Sequence, residues 1–157
     1  MNQIPYTNVA DIAAQSTGDQ WSTWGPERPV TKETIQAFAH LTDNHQWIHE
    51  DAQRCTRESP YGGLIAHGLL LVSLIPGLLP PEGFTISGHR VRIVRAIEQL
   101  RLPSPVYPGD TVHARVRRLS AYTAPSGKGT VVERVVEVWS LAGAKPAVVC
   151  ILRLQYF

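Results

Sequence analysis

Cysteine is scarce in this chain, and no hydrophobic run reaches the length of a membrane span. The 157 residues hold two cysteines, Cys55 and Cys150, which make at most one pair and no disulfide framework. The opening, MNQIPYTNVADIAAQ, lacks the basic and then apolar plan of a signal peptide. Both features point to a reducing cytoplasm. The most apolar stretch, Gly68 to Leu79, is far shorter than the roughly 20 residues a spanning helix needs, and it stops at Pro80 and Pro81. It is expected as a buried helix, with no membrane as partner. A surplus of one charge sign is also absent: 15 basic and 13 acidic residues leave a formal +2, and no run of like charges could track a phosphate backbone. Nucleic acid is therefore not an expected partner. What remains is a length that suits one compact domain, residues 1–157, with room for a real core.

The first half carries helical patterning. Thr31 can cap a helix with Glu33 in its first turn, and Ile35, Phe38, Ala39 and Thr42 then share one face. A turn-rich break follows at Ser59 to Gly63. After it, His67 and Gly68 open a segment apolar on every side, which must be wrapped by something. The second half supplies strands, separated by Pro103 to Pro108, Pro125 to Gly129 and Gly143 to Pro146. Alternation is clear there, with Val112, Ala114 and Val116 opposite His113, Arg115 and Arg117, and Val148, Cys150, Leu152 and Leu154 on another shared face. Helices early and strands late indicate an α+β class, a greasy helix against a curved antiparallel sheet. Cys55 is expected on a partly exposed helix position and Cys150 in a strand core, neither with an activating partner.

The densest chemistry lies in LTDNHQWIHEDA, Leu41 to Ala52, where His45 and His49 flank Trp47 and Ile48. Histidines set among large apolar groups need partners. Their i, i+4 spacing is that of a metal-binding helix, yet Gln46 stands where a zinc protease has its glutamate, and no third ligand is evident. No metal is expected.

Three stretches, FAHLTDNHQWIHEDAQRC, GGLIAHGLLLVSLIPGLL and LRLPSPVYPGD, together resemble the MaoC-like, (R)-specific enoyl-thioester hydratases and their nodulation-protein-N-like relatives, from about Val30 onward. The resemblance implies a hot-dog fold, in which a curved antiparallel sheet wraps a central apolar helix, and a homodimer. In that family the first block reads approximately Ser/Thr-Gly-Asp-x-x-x-Ile/Leu-His, the Asp and His holding the water that adds to or leaves the β-carbon of an acyl thioester. His49 matches the histidine, but Asp43 and Asn44 stand where the family has Gly and Asp. An amide can orient water but cannot take its proton. Asp43 could substitute only if the loop shifted by a residue. In the second block Ala66, His67 and Gly68 match the helix entrance, where the glycine N–H donates to the thioester carbonyl as it gains enolate character. A helix N-terminus suits that role, since its first N–H groups lack internal partners and the dipole favours negative charge. The third block mainly reports fold.

These matches imply an enoyl-thioester hydratase or dehydratase, a carbon–oxygen lyase, with His49 as acid/base, Asn44 positioning water or substrate, and Gly68 as oxyanion donor. Ala66 and His67 are substrate-side candidates, although His67 equally suits helix capping or packing. No cofactor is expected, because the coenzyme A or phosphopantetheine arm belongs to the acyl-CoA or acyl-carrier-protein substrate. The amide at position 44 leaves two rivals open: a tailoring enzyme that performs enolate chemistry without water, and a thioester-binding subunit without turnover.

Overall fold

The computed structural model describes residues 2–157. Its elements run β1 (Asn2–Pro5), α1 (Val9–Ala13), β2 (Arg28–Pro29), α2 (Lys32–Thr42), α3 (Trp47–Glu50), α4 (Ala52–Glu58), α5 (Gly68–Leu78), β3 (Phe84–Ser87), β4 (Arg92–Arg101), β5 (Thr111–Thr123), β6 (Thr130–Ser140) and β7 (Val148–Tyr156). A five-stranded sheet of order β2-β5-β6-β7-β4 carries the core, with every pairing antiparallel. The short β1 and β3 pair in parallel as a separate ribbon. This is the expected α+β class and a hot-dog fold: a curled sheet around one apolar helix.

Strand alternation decides which face receives the helix. Val112, Ala114 and Val116 on β5 are buried with Val136 and Val138 on β6 and Cys150 and Leu152 on β7. Against this concave face α5 lays Leu70, Leu71, Ile75 and Leu78. Burying four such side chains contributes about 1.5–3 kcal/mol each, which outweighs the ~3 kcal/mol that Pro76 costs inside the helix. The wrapping is one-sided, however. Leu69 is 62% exposed, so the expectation of a helix enclosed all round is corrected: the sheet covers one flank of α5 and leaves the other open. Cys55 also differs from expectation. It is fully buried, and its Sγ lies 3.5 Å from the Ile48 carbonyl, because α4 packs back onto α3 rather than lying on the surface.

The two edges of the sheet are treated differently. Along β5, the edge is covered by β2 and by the preceding segment, whose Ser22 and Gly25 N–H groups donate to the carbonyls of Val116 and Ala114 at 2.8 Å. Gly25 is obligatory there, since a Cβ would collide with the Leu78 carbonyl. The same segment packs Trp21 and Trp24 onto the outer face, where the Arg115 guanidinium lies 4.5 and 5.0 Å from their rings and is ion-paired to Glu137. Along β4, by contrast, only β7 is a neighbour, and Ile93, Val94, Ile97 and Leu100 are exposed. Beyond the C-terminal end of α5 the core is closed by charge: buried Arg134 and half-buried Arg118 both grip Glu82, at 3.0 and 3.2 Å. Desolvation alone would raise the Glu82 pKa, but the two guanidiniums outweigh it and hold the carboxyl below its ordinary range. No helix among the described residues is long and apolar enough to cross a membrane.

Candidate active site

Thr31 caps α2 as expected, its Oγ1 accepting from the Thr34 N–H at 3.2 Å, and Ile35 and Ala39 are buried on the helix face read from the sequence. The helix then ends in a left-handed residue, Asp43, with φ 51° and ψ 33°. That conformation is the natural place for glycine and is tolerated by Asp and Asn. It fixes the register of the motif, because the position matched to the family's glycine is the one that needs positive φ. Asp43 is thereby excluded as a shifted stand-in for the missing carboxylate: its side chain is 99% exposed and lies 3.7 Å from His45.

His49 sits on the single turn α3. Two hydrogen bonds clamp it to the incoming chain: the Ile65 N–H donates to the Ile48 carbonyl at 3.2 Å, and His49 Nδ1 donates to the Ile65 carbonyl at 2.8 Å. The tautomer follows, since a carbonyl can only accept. Burial lowers the His49 pKa, a trend the Ile65 bond opposes and neighbouring His67 assists. A neutral ring with its proton on Nδ1 leaves Nε2 as a free acceptor. His45, four residues earlier, is not on the same helix. It turns outward to Glu50 Oε1 at 3.0 Å.

A cavity of about 180 Å³ opens beside His49. Ala66 and Gly68 form one wall, and Leu102 to Val106 with Ala147 form the other. The walls are tied where the Ala66 N–H donates to the Val106 carbonyl at 2.8 Å. Gly68 is the first residue of α5, so its N–H has no partner inside the helix. A Cβ on Gly68 would meet the Leu102 side chain. The site therefore joins His49, Ala66 and Gly68. It does not bring Asn44 or His67 to the cavity wall. Asn44 connects only indirectly: its backbone carbonyl accepts from His67 Nε2 at 3.1 Å, and its side-chain amide makes no hydrogen bond. His67 occupies the N-cap position of α5 without a side-chain capping bond and stacks on the His49 ring, with centroids 3.7 Å apart at 27°. Sequence reasoning missed the wall from Leu102 to Val106, and Tyr61 at the rim. The signal was present in LRLPSPVYPGD, a block whose prolines hold the chain extended past the cavity rather than merely ending a strand.

A curled sheet around an apolar helix, with a histidine and that helix's first residue lining one cavity, defines a hot-dog protein. The chain belongs to the MaoC-like domain family, whose model matches residues 14–139. It is 34% identical to the 3-hydroxyacyl-thioester dehydratase Z of Mycobacterium tuberculosis over 96% of this chain and 97% of that protein. It is also 32% identical to nodulation protein N of Rhizobium meliloti, over 73% of this chain and 68% of that one. Among solved structures, an (R)-hydratase from A. caviae described as involved in PHA biosynthesis superposes with a TM-score of 0.66 at 23% identity, covering 87% of this chain and 93% of that chain.

Proposed function

We propose that the chain binds an acyl-CoA or acyl-carrier-protein thioester and catalyses hydration of a trans-2-enoyl group or the reverse dehydration. The observation that carries this is the pair lining one cavity: a neutral His49 with a free Nε2, and the unpartnered Gly68 N–H at the start of α5. In the hydration direction, water oxygen bonds to the β-carbon while Nε2 takes one of its protons. The electron pair of the alkene moves to the α-carbon and thioester carbonyl, whose oxygen charge the Gly68 N–H and the helix dipole stabilise. The imidazolium then returns its proton to the α-carbon. The atoms of one water are added and the enzyme is unchanged. The Asn44 amide does not line the cavity and could not take a proton from water if it did, so His49 alone moves the proton. No further group is required in this scheme, because the thioester itself acidifies the α-carbon. The amide at position 44 keeps two alternatives in view, an enolate catalyst that excludes water and a binding subunit without turnover.

Two substitutions at one residue test the oxyanion role. Gly68 is the first helical position, where proline is tolerated, and His67 before it already has the extended φ −61° and ψ 131° that proline requires. Gly68→Pro removes the N–H, whereas Gly68→Ala adds a Cβ against Leu102 but keeps it. Turnover of a short enoyl thioester is expected to fall ~10²–10³-fold further in the proline variant than in the alanine variant. Equal activity in the two would remove Gly68 from the mechanism.

A further inference from the structure

His67 neither caps its helix nor touches the cavity, yet it is 2% exposed and carries an unpartnered Nδ1. Its ring is enclosed between His49, stacked at 3.7 Å, and Phe38 of α2, tilted at 5.2 Å. Its Nε2 donates to the backbone carbonyl of Asn44. A histidine placed for packing alone would be expected to satisfy both ring nitrogens or to be replaced by an apolar ring. Here one nitrogen pins the loop that holds Asn44, and one face supports the ring of His49. The His49 ring lines the cavity and the Asn44 loop is tied to it through His67, and the two come from different elements.

Resting on the reading of His49 as the acid/base, we infer that His67 is a positioning residue that fixes the His49 imidazole by stacking and the Asn44 loop by its hydrogen bond. This gives the site the orientation that a carboxylate beside the imidazole would otherwise supply. The stack also opposes charging of His49, because two imidazoles in face contact cannot both be cations cheaply. The other groups that bear on His49 are few. Glu50 favours its cation but is paired with His45, while α5 and the wall from Leu102 to Val106 contain no charged side chain.

The test uses His67→Phe, which keeps a ring but loses the donor, and His67→Gln, which keeps a donor but loses the ring. Proton NMR follows the His49 ring titration and the exchange of its Nδ1 proton, and kinetics follow a short enoyl thioester. In the Gln variant the His49 Nδ1 proton should exchange at least about tenfold faster, as its ring loses support. In the Phe variant that proton should stay protected while backbone amides from Asn44 to Gln46 exchange faster. In both, His49 should titrate at higher pH, and kcat should fall ~10–10²-fold with KM nearly unchanged. Folded variants with the wild-type His49 titration and exchange would overturn the proposal. If the wild-type protein lacks thioester turnover, the NMR result still decides the role of His67, and only the reading of function fails.

Discussion

Asn44 is the residue at which the proposed chemistry can be altered most directly. Its side chain is half-buried and free of hydrogen bonds, so nothing in the protein already occupies the amide. Asn44→Asp would return a proton acceptor to the position the family uses for one. General acid/base groups typically contribute ~10²–10⁴ in rate, so hydration of a short enoyl thioester is expected to rise by at least the lower part of that range. The gain should vanish when His49→Ala is added, because a carboxylate without the imidazole cannot complete the proton path. An increase that survives in the double variant, measured by the same assay, would show that the substituted carboxylate works elsewhere. The cysteines play no part in this chemistry: burial pushes the Cys150 thiol up to about 11 and raises that of Cys55, which keeps both protonated.

At the scale of elements, what the sequence made legible was whatever repeats locally. The cap at Thr31, the apolar run of α5 and the alternation of β5 and β7 each follow from spacings of two to four residues, and the structure has all of them. The motif blocks named His49, Ala66 and Gly68, which share one cavity, and also Asn44 and His67, which do not line it. What the spacing could not reveal depends on contacts between distant segments. The burial of Cys55 needs α4 to fold back on α3, the exposure of Leu69 needs the sheet to stop short, and the stack of His67 on His49 needs two turns to meet. Gly25 is another such contact, invisible until the covering segment is seen against the end of α5. Gly25→Ala is expected to cost about 1–3 kcal/mol or more, since the added methyl would strike the Leu78 carbonyl, which cannot swing away as a side chain does. Urea denaturation measures this, and an unchanged midpoint would mean that the segment is not held against the helix.

For the whole molecule, the unequal edges lead us to expect a second copy. One edge of the sheet is covered by the chain's own segment, while β4 presents unpaired backbone and exposed Ile93, Val94, Ile97 and Leu100, a combination that invites strand pairing. A homodimer joined along β4 would extend the sheet across both copies. Light scattering at micromolar concentration should give twice the chain mass, and Ile97→Lys should shift it toward the monomer; a wild-type monomer would contradict the edge assignment. The central claim, however, concerns water and His49. It is tested most directly by incubating the protein with a short trans-2-enoyl thioester in oxygen-18 water and following the thioester by mass spectrometry. The account expects a product heavier by one labelled water, lost in folded His49→Ala. No incorporation by the folded wild-type protein, or incorporation unchanged without His49, would contradict it.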